Sequence, residues 1–339
     1  MVSRLGAFED HFRKLDYRFR PRQTKREAIN SVKKSPKQTQ EKQAGKLPSK
    51  NGVIVCGTDF SSNATQAATA AATIASMLGR SLLLAHVLEE PIDANPKDLD
   101  PFIGAAKKHL HTEAERLRSL DAEVTEECAF GFPDAVLIEI AERHDAELLV
   151  VSSLGRRAPA RWLLGSVAER VAEAAPMPTL VVRAAEPFEA WSRGTPLKVV
   201  VGADFSASSN SAFRLITTFQ KAGPCDVTVV HITSPGGHLL PESGEEAMSI
   251  DLKPEYQNML ESALTKKLET VIGPNNLKVR ISPNWGRVDN ALLLVAGELH
   301  GDLIIVGTHR RHGVALAWHG SVSRGILQQS AVSVGCAPG

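Results

Sequence analysis

The chain has 339 residues, of which 43% are apolar, and its formal net charge is +1. That length and apolar content are enough for two domains of ordinary size, each with a packed core. No apolar run reaches the length of a membrane span and the N-terminus has no apolar signal-peptide segment, so the sequence predicts a cytoplasmic protein with neither feature.

Residues 1–51 are predicted to form a basic arm and linker, largely disordered. Residues 1–50 hold 14 Lys and Arg and 5 Asp and Glu, a net charge of +9, whereas the remaining body holds 25 and 33, a net charge of −8. Apolar side chains spaced three, four and three residues apart from Leu5 to Leu15 predict a short amphipathic helix. Such an arm can bind nucleic acid, an anionic membrane or an acidic partner, or it can fold back on the acidic body.

An internal repeat follows the arm. GVIVCGTDFSSN begins at Gly52 and KVVVGADFSASS begins at Lys198, so that Asp59 matches Asp204 at an offset of 145. Later in each copy the offset is 155, because the second copy holds ten additional residues, which we place within Pro235 to Gly244. The repeat predicts two domains, at residues 52–186 and 195–339.

Each copy alternates strands with helices. In the first copy, the predicted strands are Val53–Thr58, Ser81–Val87, Glu123–Phe130, Leu148–Ser152 and Thr179–Arg183, and the predicted helices are Ser61–Leu78, Pro101–Leu120, Pro133–Arg143 and Ser166–Ala175. This alternation predicts a parallel sheet with right-handed crossovers, and strands that are apolar on both faces predict helices on both sides. The expected fold is therefore α/β, with two tandem open parallel sheets.

The carboxyl edge of each predicted sheet holds the candidate ligand groups, since ligands of open parallel sheets bind there. Asp59 and Asp204 end the first strand of their copies. Such a carboxylate can accept hydrogen bonds from an adenine amino group or a ribose hydroxyl, but it can equally be the N-cap of the following helix.

A glycine-containing loop follows the fourth strand. In the first copy Ser152-Ser-Leu-Gly155 is followed by nine residues and then by Gly165-Ser166. Small residues let backbone N–H groups approach phosphates, and the Gly-Ser pair opens a helix whose N-terminus favours an anion. The Ser166 hydroxyl could bond a phosphate or only cap the helix. In the second copy the loop runs Gly307-Thr-His-Arg310, then nine residues, then Gly320-Ser321.

With these motifs, the sequence resembles the universal stress proteins in their tandem two-domain form. The resemblance rests on the strand-one Asp, the turns at Gly131 and Gly286, and the loop pattern G-x2-G-x9-G-S/T. It implies an adenine-nucleotide-binding sheet of five strands in the order 3-2-1-4-5, and ATP as the ligand, with or without Mg²⁺. It also implies that domains pair through their fifth strands. The two copies can therefore form an intramolecular pseudo-dimer, and a homodimer is left open.

Each copy departs from this pattern at one position. Ser152 replaces the first glycine in copy one, a mild change, whereas Arg310 replaces the second glycine in copy two and would strain or block the site unless its guanidinium binds phosphate. ATP binding is therefore expected in the first copy rather than the second. The candidate nucleotide-binding residues are Asp59, Val87, Ser152, Gly155, Gly165, Ser166, Val167, Asp204, Ile232, Gly307, Arg310, Gly320 and Ser321.

The sequence offers no motif of an efficient enzyme. It has no Ser-His-Asp arrangement in a recognisable context, no Walker A lysine and no paired-carboxylate motif. No metal site is expected, and His86 and His231 are interpreted as core residues of the second strands. The leading hypothesis is a nucleotide-binding regulatory or stress protein, with slow ATP hydrolysis left open. The alternative is an interaction scaffold with vestigial pockets, whose arm recruits an acidic partner or nucleic acid.

Overall fold

A computed structural model describes residues 52–89, 96–156, 164–233, 253–274, 277–284, 286–308 and 322–339. The predicted arm at 1–51 and the insertion placed at Pro235–Gly244 lie outside the described residues. Within the described part of the chain, none of the helices combines the length and the apolar character that a membrane crossing requires.

Nineteen helices and strands are present in the described residues, and they alternate along the chain. In half 1 they are β1 (Val53–Gly57), α1 (Ser62–Leu78), β2 (Ser81–Leu88), α2 (Pro96–Arg118), β3 (Val124–Phe130), α3 (Pro133–Arg143), β4 (Ala146–Ser152), α4 (Ser166–Ala174) and β5 (Thr179–Val182). A linking helix, α5 (Glu186–Ser192), leads to half 2. Half 2 consists of β6 (Leu197–Gly202), α6 (Ala207–Ala222), β7 (Cys225–Thr233), α7 (Pro254–Ile272), β8 (Lys278–Pro283), α8 (Val288–Glu298), β9 (Leu303–Thr308), α9 (Val322–Gln329) and β10 (Ser333–Pro338).

All ten strands form one sheet, in the order β3-β2-β1-β4-β5-β10-β9-β6-β7-β8. Each half has the order 3-2-1-4-5 with parallel neighbours, and β5 and β10 pair antiparallel at the centre. The α/β fold class is confirmed, and the fifth strands pair with each other as the resemblance implied. Both halves belong to one compact unit, so the domain boundaries at 52–186 and 195–339 stay a prediction.

Helix α1 shows how local sequence sets an element. The Ser61 hydroxyl accepts a hydrogen bond from the N–H of Ala64 and caps the N-terminus of the helix. Gly79 ends it in the left-handed conformation, with φ 61° and ψ 40°, which glycine adopts without strain. Between these caps, alanines fill most of the buried positions. These small side chains let the helix lie close to the sheet.

The sheet is covered on both faces, as its apolar strands predicted. One face carries α1, α2, α5, α6 and α7, which bury side chains such as Ile74, Leu110 and Phe213. The other face carries α3, α4, α8 and α9, with Leu137 and Leu292 among the buried residues. Two continuous apolar layers therefore run across both halves.

Helix α5 was not predicted. It is seven residues long, has Pro187 near its start, and buries Phe188 and Trp191 completely. So short a helix is marginal by itself and depends on packing, and here the packing partners are α1 and β6 from different halves. A contact of this kind leaves no periodic signal in the local sequence.

The four cysteines are buried or half-buried free thiols, as is usual for Cys, which packs as a small apolar residue. Burial raises the pKa of all four: to about 12 at Cys336, to about 11 at Cys225, and also at Cys56 and Cys128. These thiols therefore stay protonated and unreactive at neutral pH.

Candidate functional site

In half 1, three chain segments meet at the carboxyl edge of the sheet. Strands β1 and β4 are neighbours, so the residues that follow them are close together. Asp59 follows β1, the loop from Ser153 to Arg156 follows β4, and Gly165 opens α4. These are the segments that the sequence analysis assigned to a nucleotide.

The Asp59 carboxylate joins two of these segments. Its Oδ1 accepts a hydrogen bond from the N–H of Ser61 at 3.0 Å, and its Oδ2 accepts one from the N–H of Arg156 at 2.5 Å. Because Ser61 is the N-cap of α1, the alternative interpretation of Asp59 as that N-cap is wrong. The carboxylate instead links the end of β1 to the loop after β4.

A side chain at position 155 would displace the Asp59 carboxylate from this link. A Cβ atom there would lie 2.9 Å from Asp59 Oδ2, closer than side-chain carbons come to other atoms. Gly165 is also confined: its N–H donates to the carbonyl of Ser153 at 2.7 Å, and an added Cβ would lie 3.4 Å from the same oxygen. The Ser152 hydroxyl donates to the Leu154 carbonyl and shapes the loop between them.

The N-terminus of α4 faces this site, and within the described residues its N-cap makes no side-chain hydrogen bond to the first turn. Gly165 is the N-cap residue, with φ −84° and ψ 154°, and it has no side chain that could accept. Ser166 is exposed in the first turn, and Val167 is half-buried behind it. Unsatisfied N–H groups and the helix dipole give such an end an affinity for anions.

Two aromatic rings brace the end of β1. His86 Nδ1 bonds the Thr58 carbonyl at 2.7 Å, and the ring of Phe60 lies 4.3 Å from that of His86. Burial lowers the pKa of His86, so the neutral imidazole donates from Nδ1. The interpretation of His86 as a core residue is confirmed, and Val87 follows it, half-buried at the end of β2.

Phe60 is a residue whose role the sequence analysis missed. It adopts a left-handed backbone conformation with φ 64°, which non-glycine residues rarely do. Phe205 repeats the same conformation with φ 62°, against the ring of His231. The signal was present in the sequence, since Asp-Phe-Ser is the triplet on which the two copies align.

Half 2 holds its aspartate differently. Asp204 Oδ1 accepts hydrogen bonds from the N–H and hydroxyl of Ser206 and from the hydroxyl of Ser209, the last at 2.6 Å. The residue equivalent to Ser209 in half 1 is Ala64, which cannot make this bond. Lys267 fixes the same turn by donating to the carbonyls of Phe205 and Ser206.

The remaining candidates of half 2 are only partly described. A Cβ at Gly307 would lie 2.4 Å from the carbonyl oxygen of Ser208, so close packing against α6 already requires this glycine. Ile232 is half-buried near the end of β7. Arg310, Gly320 and Ser321 lie outside the described residues. Where the structure describes the chain, it contains no cluster of three His, Cys, Asp or Glu residues that could hold a metal ion.

The model of the universal stress protein family matches residues 50–183 and 197–338. The chain belongs to the universal stress protein family. The two matched segments correspond to the two repeats, so the resemblance noted from the sequence is confirmed at the level of the family.

This chain is also similar to individual proteins and solved structures. A universal stress protein of Mycobacterium tuberculosis is 26% identical over 302 residues, which cover 85% of this chain and 97% of the relative. The crystal structure of a universal stress protein from Archaeoglobus fulgidus superposes with a TM-score of 0.62 at 17% identity, covering 86% of this chain and 99% of that one. A further universal stress protein, solved in complex with cAMP, is 28% identical over 40% of this chain and 99% of its own, with a TM-score of 0.35.

Proposed function

We propose that this universal stress protein binds ATP in half 1 and acts as a nucleotide-sensing regulatory protein in the stress response, without efficient catalysis. The observation that carries the proposal is the convergence of Asp59, the loop ending at Gly155 and Arg156, and the N-terminus of α4 on one edge of the sheet. These groups combine an acceptor for the nucleoside with N–H donors for the phosphates.

Each part of the nucleotide has a chemically suited partner at this edge. The Asp59 carboxylate can accept from ribose hydroxyls or the adenine amino group, and Val87, half-buried at the end of β2, can contact the base. The small residues Ser152, Gly155 and Gly165 would let phosphate oxygens approach the backbone of the loop and the first turn of α4, although the N–H of Gly165 itself already donates to Ser153. Ser166 adds an exposed hydroxyl at the positive end of α4.

In the structure Asp59 and the loop are already bonded to each other through the N–H of Arg156. A nucleotide that uses Oδ2 would replace this bond, so the loop and the carboxylate would be positioned by the same ligand. The phosphates of bound ATP, with or without Mg²⁺, carry negative charge. The backbone N–H groups and the Arg156 side chain would stabilise that charge.

Half 2 is proposed not to bind ATP with comparable affinity. Asp204 is occupied by the hydroxyls of Ser206 and Ser209, and the sequence places Arg310 where half 1 has Gly155. These features of half 2 support the alternative function, an interaction scaffold with vestigial pockets. The basic arm would then recruit an acidic partner or nucleic acid.

Calorimetric titration of the full chain with ATP, with and without Mg²⁺, tests the proposal. One site per chain is expected, and Gly155→Arg should remove it because any side chain at 155 meets the Asp59 carboxylate. No heat of binding in the unmodified chain, or unchanged affinity in Gly155→Arg, would favour the scaffold.

A further inference from the structure

A groove of about 370 Å³ lies where the two halves meet, on the face of the sheet that carries α1 and α6. Ile74 and Leu78 line it on the side of α1, and Ser211, Arg214, Leu215 and Phe219 line it along α6. Leu215 and Phe219 are buried at its floor, whereas Arg214 is exposed at its rim. Glu147 also lines the groove, but its charge is balanced by Arg80 at 2.9 Å. The groove is thus apolar in depth, and Arg214 makes its edge basic.

The internal symmetry of the fold shows what such a groove can hold. Helix α5 lies against Gln66, whose side-chain Oε1 accepts a hydrogen bond from the N–H of Ala185 at 2.9 Å. The Trp191 ring lies 5.8 Å from that of Phe219, and a Cβ at Gly223 would lie 2.8 Å from its Nε1. Gln66, Phe219 and Gly223 therefore mark the place where α5 packs.

The repeat offset of 145 carries these three contact positions to Ser211, Ile74 and Leu78. All three line the groove. Arg183, which directly follows β5, corresponds at the offset of 155 to Pro338, which is also a groove residue. The groove is therefore the symmetry counterpart of the site that α5 fills, and no helix of the described residues lies in it.

Helix α5 also indicates the chemistry that fits. It buries Phe188 and Trp191, which are three residues apart, and it carries Glu186 and Glu189. On the α5 side a cation is supplied by Arg116, whose Nη2 donates to Thr69 Oγ1 at 3.1 Å. The pKa of Arg116 is raised mainly by its hydrogen bond to Glu113, and the charge of Glu189 also contributes.

In the groove, the position equivalent to Thr69 is occupied by Arg214. At the α5 site the positive charge comes from Arg116 of α2, whereas in the groove it comes from Arg214 of α6 itself. An acidic residue of an incoming helix, placed as Glu189 is, would meet the exposed Arg214 guanidinium. The groove matches an acidic helix better than the basic arm of this chain, whose net charge is +9.

We propose that the groove between α1 and α6 binds a short acidic amphipathic helix of a partner protein, with two bulky apolar side chains three residues apart. The helix would lie along α6 as α5 lies along α1, with the residue equivalent to Trp191 against Ile74 and Leu78 and a carboxylate on Arg214. This mode is the insertion of an amphipathic helix into an apolar groove.

A labelled peptide with the α5 sequence of residues 184–194 is the probe, titrated into the full chain and followed by fluorescence polarisation. Saturable binding is expected, and it should weaken at least about tenfold in Arg214→Glu, in the groove-filling variant Ser211→Trp, and for a peptide whose Phe and Trp are replaced by Ala. Equal binding by the two peptides would overturn the proposal. Binding that requires removal of residues 1–50 would show that the arm is the occupant and would overturn the partner assignment.

In a second experiment the α5 segment is fused to the chain itself, so that weak affinity of the free peptide does not limit the test. A linked ligand binds at high effective concentration. A copy of residues 185–194 is added after Gly339, the position equivalent to Ala184. The extension should raise the melting temperature by about 2–4 °C, and the same extension with Ala in place of Phe and Trp should not. Equal melting temperatures of the two extended chains would overturn the proposal.

Discussion

Glu169 and Arg324 form an ion pair across the centre of the molecule, and each is the repeat equivalent of the other. Arg324 Nη2 lies 2.8 Å from Glu169 Oε1, and the two positions are 155 residues apart, the offset of the repeat. Leu180 and Gly335 are related in the same way and lie opposite each other in the pairing of β5 with β10. At the pseudo-two-fold axis an acidic residue thus contacts a basic one, and a large residue lies opposite a glycine. Two identical halves would instead place identical residues against each other.

Reversing one of these charges should therefore destabilise the chain, and reversing both should restore it. Glu169→Arg and Arg324→Glu should each lower the free energy of unfolding by about 1 kcal/mol, since a partly exposed ion pair is replaced by repulsion. The double reversal should regain most of that loss. Urea unfolding of the unmodified chain, the two single variants and the double variant measures the coupling free energy between the two residues. If the losses of the single variants simply add in the double variant, the ion pair does not contribute to the pairing of the two halves.

The carboxylate of Asp59 and the hydroxyl of Ser61 should have separable roles. Asp59→Ala should weaken ATP binding by about 10- to 150-fold, because a hydrogen bond to a charged group contributes about 1.5–3 kcal/mol. Ser61→Ala removes the cap of α1 and should lower stability by about 0.5–2 kcal/mol with little change in affinity. Calorimetry and thermal melting of both variants are needed, and a loss of stability alone in Asp59→Ala would assign that residue to the fold.

The close approach of Gly155 to Asp59 predicts a sharp dependence on side-chain size at 155. Gly155→Ala already brings a carbon to 2.9 Å from the carboxylate, so ATP affinity should fall, and Gly155→Arg should abolish it. Gly104→Ala is the matched control, because a Cβ at Gly104, which lies in α2, meets no atom within 4 Å. Equal affinities of the two alanine variants would move the nucleotide away from this loop.

Some features of the fold can be predicted from local sequence, and others cannot. Gly79, Pro133 and the Ala-rich α1 carry their structure locally, and the repeat of Asp59 and Gly165 places both at the carboxyl edge of a parallel sheet. Phe188 and Trp191 carry no such signal, because their burial depends on α1 and α6 of different halves.

The site itself was predicted in outline and missed in detail. Spacing indicated that the loop after β4 would approach Asp59, but not that the N–H of Arg156 would bond its carboxylate. Ser209 and Lys267, which fix the equivalent turn in half 2, lie on helices, and their contact with that turn depends on how those helices pack. Side-chain contacts between elements that are distant in sequence are the part that spacing cannot supply.

Protonation of His86 should destabilise the fold at mildly acidic pH. Because burial lowers the pKa of His86 in the folded chain, the neutral imidazole is favoured there, while the unfolded chain titrates near about 6.5. The contribution of neutral His86 to the free energy of unfolding is therefore complete above about pH 6.5. It is lost as the pH falls through the lower pKa of the folded chain. The difference in melting temperature between the unmodified chain and His86→Gln should therefore shrink as the pH falls below about 6.5; a constant difference would contradict the prediction.

Half 2 should become a nucleotide site when two of its differences from half 1, Ser209 and Arg310, are removed. Ser209→Ala deletes the hydroxyl that donates to Asp204 Oδ1 at 2.6 Å and gives this position the alanine of half 1. Arg310→Gly restores the second glycine of the loop, which the family pattern has and copy one keeps as Gly155. The double variant is expected to bind two ATP per chain where the unmodified protein binds one.

The single variants separate the two causes. If Arg310 alone blocks the phosphates, Arg310→Gly should bind the second ATP with the affinity of the double variant. If the hydroxyl bond to Asp204 also competes with the nucleoside, Ser209→Ala should raise that affinity by about 10- to 150-fold, as expected for one hydrogen bond to a charged carboxylate. Adding Gly155→Arg to the double variant leaves half 2 as the sole site. A stoichiometry of one in every variant would show that half 2 has lost its site for reasons beyond these two residues.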